Sequence, residues 1–159
     1  MYLWKVDSLV EDLRTGVVTQ KEEFKYILLF TVAMAIASDP VMFIDFSYNY
    51  YDTISSIANI SITIIGIFYC YKINAIGDNK DFILRLICIG LPVLIRTLVI
   101  FIPIFIIAGA LEGVVLATSD SEMSPLETTL TQTLMVVLMA SFYYYYLSTK
   151  IRAVSSENA

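Results

Sequence analysis

The sequence predicts an all-α integral membrane protein with four transmembrane helices and both termini in the cytoplasm. Three observations predict it. The first is composition: 58% of the 159 residues are hydrophobic, only 16% are charged, and mean hydropathy is +0.74. Soluble domains carry about a quarter charged residues, and a chain this short cannot hide so much apolar surface from water, whereas a bilayer solvates it. The second is a succession of apolar stretches approaching or exceeding the length of a span. The third is the placement of charge. All ten Lys and Arg fall within 5–25, within 72–85, at Arg96, or within 150–152. The stretches 38–53 and 116–127 contain none and carry Asp39, Asp45, Asp52, Asp120, Glu122 and Glu127 instead. Basic loops stay inside. The expectation is one domain over 1–159, multi-pass in the inner membrane.

Along the chain, Val6, Leu9, Val10 and Leu13 recur at i, i+3, i+4, i+7, one apolar helical stripe. Ser8 and Glu11 form a capping-box pattern that would start the ordered helix at Ser8, and Gly16 ends it. Residues 1–17 are expected to lie in the membrane interface, with Trp4 as anchor. Thr19 and Glu22 make a second capping box and open the first span, about 22–38. Its apolar part, 24–37, is 14 residues, roughly 21 Å. The span is expected to end near Ser38, before an interfacial segment around Pro40 rich in Phe and Tyr. It reads as a retained span rather than a cleaved signal, because the preceding segment is long, capped and partly acidic.

The second span is 54–71. The third apolar region, 82–115, would measure roughly 51 Å as one helix, against a hydrocarbon core of about 30 Å. The sequence Gly90-Leu91-Pro92 is the expected break, leaving a short helix at 79–91 and a span at 93–115. The fourth span, 126–147, follows a polar turn whose Pro125 suits a first helical turn. Tyr48, Tyr50 and Tyr51 are expected at one interface and Tyr143 to Tyr146 at the other.

Few residues could form a site. Ser55, Asn59, Thr63, Gly66 and Cys70 share a face of the second span. The stripe reads first as a packing seam and alternatively as the lining of a polar path. Asn59 and Gln132 appear at similar depth, close enough for an amide hydrogen bond. Gly109 and Gly113 make a GxxxG packing pattern, within the fold or between copies, with Glu112 solvated nearby. The segment 83–92 recurs as 94–103, each with Arg and a Pro seven residues later; on an unbroken helix Arg85, Pro92, Arg96 and Pro103 would share a face. The alternative is coincidence in a low-variety run.

Arg96 is the costly residue: an arginine at a helix centre costs about 2.5–3.5 kcal/mol. A helix starting at Pro92 would leave Arg96 near the cytoplasmic interface, where it could snorkel. Glu22, Glu23 or freed carbonyls are candidate partners; a fork of Arg85 and Arg96, with Lys72, could instead hold a phosphate or an anionic lipid headgroup.

The chain has no histidine, and Cys70 and Cys88 fall beside basic segments, so they read as reduced, buried thiols. No basic patch interleaved with aromatics speaks for nucleic acid. No nucleophile–base pattern, metal cluster, glycine-rich phosphate loop or cofactor motif is visible. The expected function is non-enzymatic: an oligomer, or the membrane subunit or scaffold of a larger assembly, with the bilayer and another membrane protein as partners. The alternative is a small oligomeric channel or transporter lined by the second-span stripe and Arg96.

Overall fold

The computed structural model describes residues 2–37, 48–118 and 128–156, and all of the regular structure there is helical. Five helices follow one another: α1 (Val6–Arg14), α2 (Gln20–Ala37), α3 (Tyr50–Ile76), α4 (Phe82–Thr118) and α5 (Leu130–Ser155). Two are long and apolar enough to cross a membrane, over Tyr50–Ile76 and Phe82–Val115. Their most apolar windows are only 11% and 0% buried, which separates them from the core helices of a soluble protein. The expected interfacial segment around Pro40 and the turn holding Pro125 lie outside the described residues.

α3 and α5 form the backbone of the fold. At one end the Asn49 amide donates to the Thr128 carbonyl; at the other, Gly77 lies against Ser155; midway, Gly66 lies under the Tyr144 ring. These partners stay 78 or 79 residues apart, so the two helices run parallel and in register over their whole length. The close approach depends on glycine. A Cβ on Gly66 would come within 2.3 Å of Tyr144, and one on Gly77 within 2.3 Å of the Ser155 carbonyl oxygen.

α4 differs from expectation. It runs unbroken through Pro92 and Pro103 for 37 residues, roughly 55 Å, so there is no separate helix at 79–91. A proline removes one amide donor and crowds one carbonyl. Pro92 is fully buried between buried Leu91 and Val93, and packing on both sides holds the helix through the defect.

α1 also differs. It starts at Val6 with no side-chain cap, so Ser8 is not its start. Gly16, at φ +69°, ends it as expected, and the Val17 amide reaches back to Asp12. Its apolar stripe faces protein rather than lipid: Val6, Leu9 and Val10 are buried, and the helix packs on α4 and α5. Three apolar residues on two turns find better cover in the junction between those helices than at a headgroup boundary.

The core collects at this end. One cluster joins Val6, Val10, Cys70, Ile73, Ile89, Val93, Leu147, Ile151 and Val154; a second joins Leu9, Tyr26, Cys88 and Leu91. Cys70 and Cys88 are free and buried in separate clusters. All ten Lys and Arg belong to the segments gathered here. α2 packs on α4, and the Tyr26 hydroxyl accepts from the Tyr2 amide.

Candidate functional site

Arg85 closes the turn between α3 and α4. Its guanidinium donates to both carboxylate oxygens of Asp78, at 2.5 and 2.6 Å, and to the Asn74 side-chain oxygen at 2.9 Å. The Asn74 amide nitrogen donates to the Lys80 carbonyl, and the Asp78 amide donates to Ser155 on α5. Arg85 and Asn74 are almost wholly buried. Asn79 and Asp81 take left-handed backbone angles, φ 53° and 41°, which a turn this tight requires. Arg85's hydrogen bonds hold the Asp78 carboxyl below its ordinary pKa. This bidentate fork is turned on the protein's own carboxylate.

Arg96 stands 11 residues further along an unbroken helix, roughly 16 Å of rise from Arg85. The two therefore share a face but have different partners, and the alternative in which they fork on one phosphate is not formed. The Arg96 guanidinium donates to the Tyr146 hydroxyl at 2.6 Å and to the Trp4 carbonyl, and lies 5.6 Å from the centre of the Trp4 ring. Its partners are thus a phenol, a carbonyl and a π face rather than a carboxylate. Its Nε is buried without a hydrogen-bond partner. Lys150, one turn beyond Tyr146, lies 5.3 Å from that ring's centre and donates to Asp7 at 2.5 Å. Lys150's hydrogen bond holds the exposed Asp7 carboxyl below its ordinary pKa.

The tyrosine run at 143–146 is not one lipid-facing belt. Tyr144 covers Gly66, the Tyr143 hydroxyl donates to the Gly90 carbonyl at 3.5 Å, Tyr146 takes Arg96, and only Tyr145 is strongly exposed. Four consecutive helical residues sweep some 300°, so they cannot share a face.

The second-span stripe divides. Gly66 and Cys70 are buried, Ser55 and Thr63 are half-buried, and Asn59 is exposed. No hydrogen bond joins Asn59 to Gln132 among the described residues. The α3–α5 register explains this: it sets Gln132 opposite Ile54, about five residues or roughly 7 Å from the level of Asn59. Gly109 and Gly113 have open space where a Cβ would stand, so they pack against nothing among the described residues.

Sequence reasoning missed the opposite end. Asn49 caps α3 in a reciprocal box with Asp52, and Asp52 accepts from the Thr128 hydroxyl at 2.6 Å. Thr129 caps α5, and the Thr133 hydroxyl bonds back to its carbonyl. The signal was present, since Asn-x-x-Asp before an apolar run is a cap pattern. The span had been started five residues later, at Ile54. Among the described residues no group of three or more Cys, Asp or Glu could hold a metal ion. No family model, no curated protein and no solved structure matches the chain.

Proposed function

We propose that the chain is a non-enzymatic integral membrane protein of the inner membrane that works by helix–helix association within the bilayer. In this reading α2, α3, α4 and α5 are its four spans, and both termini are cytoplasmic. The clustering of every Lys and Arg at the packed end supports that orientation. The parallel course of α3 and α5, with α4 the connecting helix in the sequence and packed on α5, is what two outside-to-inside spans joined by an inside-to-outside span require.

One observation carries the functional reading. From Leu98 to Val115 α4 buries nothing: Val99, Ile100, Ile106, Ile107, Leu111 and Val114 are among its strongly exposed side chains. Gly109 and Gly113 lie open on that stretch, one turn apart. Lipid tails can cover aliphatic side chains as well as a partner can, but small residues that let two backbones approach gain from a second helix. The occupant that fits best is α4 of a second copy. The channel alternative draws no support from this arrangement, because Asn59 and Gln132 lie at different levels and the stripe gives no continuous polar lining.

The test is mass in mild detergent by sedimentation equilibrium. More than one 17.9 kDa chain per particle is expected, falling to one in the Gly109→Leu/Gly113→Leu double variant. A wild-type particle holding a single chain, and nothing else, rejects the proposal.

A further inference from the structure

Arg96, Lys150, Trp4, Tyr146 and Asp7 form a corner that the association of helices does not use. Two cations converge there. Tyr146 links them, accepting from Arg96 at its hydroxyl and presenting its ring to Lys150. One carboxylate, Asp7, faces them both, and its side chain is 76% exposed. Among the described residues of this corner, two cations thus face one carboxylate.

Its depth follows from length. Counting inward from Val115, a hydrocarbon core of about 30 Å takes about 20 residues, which brings its inner edge to Arg96. An independent count on α5, from the Thr129 cap to Tyr146, gives roughly 25 Å. Trp4 is 58% exposed at the same level, an amphipathic ring beside a guanidinium. One turn outward from Arg96, Val99 and Ile100 are exposed and apolar. Positive charge, aromatic rings and an apolar track then follow one another in the order of a phospholipid's phosphate, glycerol and acyl chain.

We propose that Arg96 and Lys150, flanked by Trp4 and Tyr146, form a recognition site for the phosphate of an anionic phospholipid in the cytoplasmic leaflet, with an acyl chain lying over Val99 and Ile100. Of the guanidinium's five N–H donors two are engaged and the one on Nε is buried, which leaves one on each Nη for a phosphate. The arrangement suits a phosphate better than a zwitterionic headgroup, whose ammonium the two cations repel. Asp7 acts as an internal competitor that occupies Lys150 until lipid replaces it. The site rests on the membrane reading above.

Trp4 is the single tryptophan and so reports on the site directly. The full chain is reconstituted in phosphatidylcholine vesicles doped with lipid brominated on its acyl chains, and quenching of Trp4 is followed against mole fraction. Brominated phosphatidylglycerol is expected to quench at a lower mole fraction than brominated phosphatidylcholine. Arg96→Gln and Lys150→Gln should each weaken that preference roughly fivefold, about one cation's worth at a membrane surface. Asp7→Asn should strengthen it by a similar factor, a gain that misfolding cannot imitate. Inorganic phosphate alone should neither change Trp4 emission nor displace the lipid. Equal quenching by both lipids, an Asp7→Asn variant no tighter than wild type, or displacement by inorganic phosphate would each overturn the proposal. A chain that fails to float with the vesicles would instead refute the membrane reading itself.

Discussion

The two halves of α4 obey different rules. From Phe82 to Thr97 the helix is packed by α1, α2 and α5: Arg85, Cys88, Ile89, Leu91, Pro92, Val93 and Thr97 are all buried. From Leu98 to Val115 none is. Yet the second half is no less apolar than the first. Burial in this molecule is therefore not decided by hydrophobicity. It follows which elements lie alongside: α1, α2 and α5 pack on the first half, and their apolar side chains build the two core clusters there. The packed half has Arg85, Asn74 and Asp78 to close a network and Arg96 to anchor α1. The open half has no polar group to satisfy except Glu112, and its surroundings can be hydrocarbon. Specific contacts concentrate where charge has to be housed.

The comparison is most severely tested at Arg85. Replacing it with Ala leaves the Asn74 side-chain oxygen without its donor and Asp78 with only the Lys80 amide, in a nearly closed site. Breaking one side of a buried ion pair costs about 3–5 kcal/mol, and that loss is expected in chemical denaturation of the detergent-solubilised chain. The same pair gives a pH signature. The Asp78 carboxyl titrates below its ordinary value because Arg85 bonds its ionised form. Its contribution is therefore complete above the unfolded-state pKa, about 3.9, and disappears as pH falls through the lower folded-state value. Wild type and Asp78→Asn should differ in stability at pH 7 and converge under strong acid. Curves that stay parallel down to acid would show that the ion pair is not what closes the turn.

Next in size is Gly66. A leucine there would drive its Cβ into the Tyr144 ring, and overpacking of this kind costs about 1–3 kcal/mol. The outcome sharpens the comparison because Gly109→Leu, in the open half of α4, adds the same atoms where nothing stands in the way. Monomer stability, read by urea unfolding in micelles below the dimerisation threshold, should fall for Gly66→Leu and hold within about 0.5 kcal/mol for Gly109→Leu. Equal losses would mean that α4 is covered within one chain after all.

Sequence alone gave the helical class and the uneven placement of charge, because composition and sign survive without knowledge of contacts. It also gave Gly66 as a packing position and Gly16 as a helix stop, since each follows from the absence of a Cβ. The break at Pro92 was wrong because a local rule about prolines ignored the packing of Leu91, Pro92 and Val93. The face of α1 was read correctly and its occupant wrongly: periodicity says which side is apolar, never what covers it. An 11-residue repeat offered Arg85 and Arg96 as a pair in one alternative, but the partner of Arg85 lies seven residues back across a turn. That turn depends on two left-handed residues, Asn79 and Asp81, which no periodic pattern announces. Asn49 with Asp52 was legible and was overlooked for the apolar run that follows.

The smallest expected effect concerns the far end, where Asn49 caps α3 and ties it to α5. Asn49→Ala removes a side chain that accepts from the Tyr51 and Asp52 amides and donates to the Thr128 carbonyl. Loss of a cap costs about 0.5–2 kcal/mol, less than loss of Arg85, because this end lies at a helix terminus that water can reach. The distinguishing measurement is where the damage appears. Amide hydrogen exchange should quicken in the first turns of α3 and α5 while the protection of 85–93 is unchanged. If Asn49→Ala instead loosened the packed end, the two ends would be one cooperative unit, and the parallel register of α3 and α5 would have to be transmitted from this cap rather than set independently by Gly66 and Gly77.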